Sequence, residues 1–220
     1  MDEDTARRTG PRALGVVGTL FITAACGWMV MQMEILGGRA LTPYFGSAVY
    51  VVMGSVIGVF LLSLSAGYVL GGLLSGLSAS KAVLGGSVAV AGAWFALLPR
   101  FIEPVCDALL DAGFDDKWGS LTAAFILFAV PTALLGTVSP TAVRWLTRSA
   151  AESGRMAGLV LAFSTLASFA GCLAAAFYLI RLSLRRTLAV SGVALLALGV
   201  LVLLHALRRR PAKGGNRNGP

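Results

Sequence analysis

Few side chains in this sequence can do chemistry, and the most conspicuous stand at the end of an apolar run. In Met33-Glu34-Ile35-Leu36-Gly37-Gly38-Arg39 a carboxylate is followed five residues later by a guanidinium, with Gln32 just before and Tyr44 and Tyr50 after. An ionised carboxylate in hydrocarbon costs on the order of 3 kcal/mol even on insertion scales, so Glu34 is tolerated only when paired, protonated or facing water. On a straight helix, side chains three or four apart meet and those five apart do not. Gly37-Gly38 is the place where a turn could bring Glu34 and Arg39 together. Three roles stay open: a hydrated acid at the membrane interface, an ion pair bracing the first loop, or a substrate or proton site drawing on Gln32, Tyr44 and Tyr50. In each case this face belongs toward the bundle interior.

A second group lies in Val130-Pro131-Thr132 through Val143-Arg144-Trp145, where Pro131 and Pro140 interrupt an apolar run and Gly136 and Ser139 fall between them. Proline lacks a backbone donor and frees a carbonyl one turn back, so this segment needs neighbours or water to satisfy it. Broken helices at membrane depth line substrate sites in many transporters. Pro131, Ser139, Pro140 and Arg144 are therefore candidate lining residues, against the plainer alternative of kinks that only shape the bundle. Arg144, one turn past Pro140, marks the inner surface.

Other chemistries are poorly supplied. Cys26 and Cys172 fall inside apolar runs, and with Cys106 they make no disulfide framework. One histidine, His205, gives no zinc constellation. No His/Asp or Ser/His grouping supports an intramembrane enzyme. No cofactor is implied.

The elements that must position these residues are membrane helices. The chain is 57% apolar and 13% charged, with a mean hydropathy of +0.82; a soluble domain is about a quarter charged. Six segments have the length and apolarity of spans, at roughly 14–35, 49–74, 82–98, 120–146, 155–180 and 187–207. They define a membrane domain over 14–207, between a basic N-terminal tail (1–13) and a basic, disordered C-terminal tail (208–220). The first segment is expected to be a retained span rather than a signal peptide, because Asp2-Glu3-Asp4 leads it and its apolar run is long.

Both tails then share one side. Placing them in the cytoplasm leaves Arg39, Arg100, Lys117, Arg181, Arg185 and Arg186 outside and the remaining Lys and Arg inside, as the positive-inside bias requires. The 99–119 segment reads as an acidic outer loop. Arg181, Arg185 and Arg186 misfit, as an anion site or as side chains snorkelling to headgroups. The net charge of +8 is a topology signal rather than a nucleic-acid surface, since no basic face is interleaved with aromatics. Gly54/Gly58, Gly67/Gly71, Gly72/Gly76 and Gly154/Gly158 offer small-residue pairs for helix packing.

Taken in order, these stretches carry a resemblance. The pattern E-x4-R-x-L-x-P-x-F-G-S-x-x-Y at 34–50, S-A-G-Y-x-x-G-G at 65–72, P-T-x-L-x-G-x-x-S-P-x-x-V-R at 131–144 and G-R-x-x-G at 154–158 resemble the membrane domain of the spermidine synthase-like family, often fused as major facilitator/spermidine synthase. The similarity runs over roughly 20–190. It implies an all-α integral membrane protein whose six-helix bundle is like half of a major facilitator transporter, two inverted three-helix repeats, and half size implies a homodimer. The aminopropyltransferase domain of the fused relatives has no counterpart among these residues, because no alternating α/β segment is present, so the chain is not expected to be an enzyme. The family implies a transporter-like protein of the plasma (inner) membrane, moving or sensing a small organic cation such as a polyamine. The alternative is a non-transporting anchor in the lipid bilayer for a separately encoded soluble spermidine synthase-like partner.

Overall fold

Within a bilayer no water is present to bond a bare peptide group, so an apolar chain can satisfy its backbone there only as helix or closed barrel. A computed structural model describes residues 10–46, 48–78, 81–147 and 150–208, and between short turns they are helical. The elements are α1 (Gly10–Phe45), α2 (Val49–Ser78), α3 (Lys81–Asp111), α4 (Asp116–Gly136), α5 (Val138–Leu146), α6 (Ala150–Phe177), a 3-10 turn (Leu179–Arg181) and α7 (Leu184–Arg208). The pair α4–α5 forms one span, giving six helices long and apolar enough to cross a membrane. No strand occurs among the described residues. The chain is an all-α, multi-spanning bundle. Residues 1–9 and 209–220, which hold most of both basic tails, lie outside the described residues.

The helices outrun the sequence-based bounds. α1 has 36 residues, about 54 Å of helix against a hydrocarbon core of about 30 Å. Gly37-Gly38 does not turn the chain, which corrects the expectation of a break there. Their missing side chains instead let the Phe128 ring and the Met53 thioether close onto α1. The acidic outer loop at 99–119 is also corrected. α3 continues through Pro99 and Pro104 to Asp111, since proline fits helical φ at the loss of one hydrogen bond. The true loop is Ala112–Asp115, with Gly113 at φ 78° and Asp115 capping α4 by accepting from the Trp118 amide at 2.9 Å.

Three pairings hold the bundle together. α3 and α7 run antiparallel, joined by glycines seven apart on both helices. Gly85 faces Leu203, Gly92 faces Leu196, Gly192 faces Ala96 and Gly199 faces Ala89. A Cβ at Gly85 would stand 2.6 Å from the Leu203 amide nitrogen, so backbone meets backbone. α2 runs parallel to the fourth span, with Gly67 against Ala133 and Gly136, Gly71 against Thr137 and Pro140, and the Ser55 and Ser120 hydroxyls 3.0 Å apart. α1 pairs with α6, where Gly27 meets Ser164 and Ser168 and Gly171 meets Trp28. Of the four expected glycine pairs, only Gly67/Gly71 packs as a pair. Gly54, Gly58, Gly72, Gly154 and Gly158 have open space where a side chain would go.

First with fifth, second with fourth, third with sixth: this pattern is unchanged by exchanging spans one and four, two and five, three and six. Two inverted three-helix repeats pair in that way. One seam departs from the symmetry. The third and fourth spans pack closely, whereas the first and sixth leave a groove of about 490 Å³ bordered by Phe21, Trp28, Gln32, Ser191 and Leu198.

Candidate functional site

The fourth span is interrupted for one residue at Thr137, between α4 and α5, and its two prolines contribute unequally. Pro131 sits inside a continuous α4 and is buried. The carbonyl it leaves without a donor, that of Leu127, accepts instead from the Trp94 indole at 2.9 Å. Pro131 is therefore buried within the helix, and its lost hydrogen bond is replaced from the neighbouring span. Pro140 has no amide to offer Gly136, and there the helix is interrupted, leaving α5 as a nine-residue segment.

Beside this interruption lies an open cavity of about 550 Å³ between α2, α5 and α6. Ser139, Pro140 and Arg144 line it, with Tyr68 and Ser75 from α2, Val143 and Thr147 from α5, and Ser153 and Leu161 from α6. Tyr68 and Ser139 also border a smaller hollow of about 70 Å³ that reaches Cys26, Gly27, Val30 and Met31 of α1 and Ser164 and Ser168 of α6. Together the two spaces touch four of the six spans. They begin at the Arg144 end of the fourth span and reach Cys26, eleven residues past Gly15, or roughly 17 Å along α1.

The Arg144 end is also the side on which α1 begins and α7 ends. Six alternating spans require it, and Trp145 borders a hollow with Gly15, Thr19 and His205, which come from the outer turns of α1 and α7. This face is called the tail side below.

The cavity is chemically uneven. Thr147 donates to Val143 O at 2.8 Å and Ser75 to Gly72 O at 2.8 Å. Ser139, Ser153, Ser164 and Ser168 make no hydrogen bond among the described residues and are free to meet water or a solute. Among the described residues Arg144 is the only charged one on either wall, and no carboxylate pairs with it.

The residues around Glu34 are not assembled into a site. α1 stays helical through Arg39, so Glu34 and Arg39 point to different sides and the expected ion pair is not formed. Arg39 Nη1 donates to Leu182 O at 3.0 Å, tying α1 to the last inter-span turn. Gln32 is buried for another purpose: it accepts from the Trp28 indole at 2.8 Å and donates to Ser191 Oγ at 2.5 Å, bridging α1 to α7. Tyr44 lies in a shallow space with Glu103 and Arg185. Tyr50 is 81% exposed. Arg185 Nη2 meets Glu103 Oε2 at 2.6 Å, so one member of the misfitting basic cluster has an acidic partner on α3. That pair is solvent-exposed, and such pairs contribute about 0–1 kcal/mol.

Glu34 itself is 9% exposed and has no hydrogen bond or ion pair among the described residues. Gly37 lies against Phe128, and the inner hollow joins Val30 and Met31 to Leu135 and Gly136. In this antiparallel register Glu34 falls at the level of Thr132. The Thr132 hydroxyl is fully buried and is the one buried side-chain polar atom without a partner among the described residues. Sequence reasoning gave no functional role to Thr132, Tyr68, Ser153, Ser164 or Ser168, and all but Ser153 entered only as positions of the resemblance. A threonine or serine inside a span gives no signal unless the facing helix is known.

No group of three or more potential metal ligands occurs among the described residues. Comparisons with family models, with curated proteins and with solved structures find no match to this chain.

Proposed function

We propose that this chain is a transporter-like membrane protein that admits a small organic solute into the Arg144 cavity from the tail side. One observation carries the reading: an open cavity between spans at the Arg144 end of the bundle that adjoins, at Tyr68 and Ser139, a smaller hollow bordered by unbonded serine hydroxyls. A bundle that served only as an anchor would have no use for such a space. Beyond it, the Glu34–Thr132 layer closes the bundle with polar groups that lack partners, and a barrier of that kind can rearrange at little cost in broken hydrogen bonds. The exchange symmetry of the helix pairs supports the comparison with half of a major facilitator unit. The basic tails favour a cytoplasmic tail side in a plasma (inner) membrane.

The resemblance to spermidine synthase-like membrane domains is what points to polyamines. The charge in the cavity points elsewhere, since a polycation entering from the tail side meets the Arg144 guanidinium first, and Glu34 borders neither space.

The test is flux in proteoliposomes of the full chain, with radiolabelled spermidine, an alkyl phosphate and a neutral sugar as the three solute classes. Protein-dependent flux of one class is expected, falling at least about ten-fold in Ser139→Phe, which fills the junction of the two spaces. No protein-dependent flux of any class would favour the anchor.

A further inference from the structure

We propose that the Arg144 cavity is a site for an amphiphilic anion, with a phosphate or carboxylate head at the guanidinium and an apolar body along Tyr68, Val143 and Leu161. The inference rests on the reading of this cavity as a solute site and names the solute's class. The walls are mainly hydrocarbon and ring. Arg144 is exposed at the mouth of the cavity, so an inorganic anion would use the guanidinium alone and a neutral apolar molecule the apolar walls alone. A molecule with both parts meets both.

Three features place the head. Arg144 has no carboxylate partner among the described residues, and guanidinium binds phosphate and carboxylate through two parallel hydrogen bonds. Ser153, in the first turns of the 28-residue α6, brings the positive end of a long helix to the same mouth. Glu152, the acidic neighbour, is exposed and does not border the cavity. The volume of about 550 Å³ lies inside the range of about 300–1,000 Å³ for small-molecule sites. Inward from the head, Ser139 and the unbonded Ser164 and Ser168 offer a polar exit rather than a closed end.

Such a head can belong to a bilayer lipid or to a water-soluble alkyl anion, and the experiment separates them. The full chain is placed in nanodiscs of phosphatidylcholine, and radiolabelled dodecyl phosphate is titrated in, with empty discs giving the partition background. A saturable component of about one per chain is expected, weakened at least about ten-fold by Arg144→Gln and less by Arg144→Lys. If phosphatidylglycerol added to the discs displaces the probe, the head is a lipid's. If hexyl phosphate added from water displaces it, the head is a soluble anion's. Either result supports the site.

The proposal is overturned by the absence of saturable binding, by equal binding in Arg144→Gln, or by displacement with dodecyltrimethylammonium as effective as with unlabelled dodecyl phosphate. Should Arg144→Gln fail to elute as folded protein, Ser139→Phe blocks the cavity without touching the guanidinium and is expected to remove the saturable component. Saturable binding without flux leaves this site standing and overturns the transport reading. Flux of a cation or sugar without anion binding does the reverse.

Discussion

Leucine at Gly92 and Gly192 together is expected to leave the chain without a stable fold in neutral detergent. At both positions a side chain would fall on the facing backbone rather than on a movable side chain: Leu196 and Leu195 opposite Gly92, Ala96 and Phe95 opposite Gly192. The two helices can accept it only by separating along the seam. Overpacking costs about 1–3 kcal/mol per site where side chains can shift, and more where backbone must move. Two such sites on one interface consume much of the about 5–15 kcal/mol that holds an ordinary domain folded. Single Gly92→Ala or Gly192→Ala should each cost about 1–3 kcal/mol, read as a fall in the melting temperature of the purified chain. Gly54→Leu and Gly58→Leu supply the contrast, because both face open space and should leave that temperature within a few degrees. Equal effects at the two pairs of sites would contradict the packing.

Trp94→Phe is expected to destabilise the fourth span by about 1–3 kcal/mol, the cost of a buried polar group left unmade, and Pro131→Ala is expected to restore most of that loss. The argument is a count of donors. Pro131 cannot bond Leu127 O, so the Trp94 indole does it from the neighbouring helix. Removing the indole strands a carbonyl where no water replaces it. Alanine at 131 returns the amide that an ordinary helix would use. Pro131→Ala alone should change stability little, since the carbonyl then has two candidate donors. A cycle of the two substitutions, measured by chemical or thermal unfolding, should show coupling of about 1 kcal/mol or more. Strict additivity would mean that the Trp94 contact does not serve the proline.

The contrast between what could and could not be read from the sequence is physical. Six spans were legible because apolar length is a property of each segment alone. Their ends were not, because the helices run on past the apolar segments that mark the spans; Gly37, Gly38, Pro99 and Pro104 all lie in continuous helix. Glycines four apart were noticed as packing signals, yet the glycines that carry the tightest seam are seven apart, at Gly85 and Gly92 and at Gly192 and Gly199. Which glycines meet a partner depends on the facing helix. The proline-flanked stretch pointed to a lining, and Ser139, Pro140 and Arg144 do border the cavity. The Glu34–Arg39 pair failed for a single reason: it required a turn at Gly37-Gly38, and the helix runs on.

The most direct test of the proposal that this space admits water and solute from the tail side is the reactivity of a thiol at Ser139. In a chain with Cys26, Cys106 and Cys172 replaced by alanine, Ser139→Cys and Val130→Cys would each be exposed to a charged, membrane-impermeant methanethiosulfonate, added from one side of the membrane at a time. Val130 is 51% exposed on the outer surface of the same span, where lipid excludes the reagent. The expected result is labelling of Ser139→Cys from the tail side only and of Val130→Cys from neither side. A Ser139→Cys thiol as inert as that at Val130 would contradict the cavity, and with it the reading of this bundle as a solute-admitting protein.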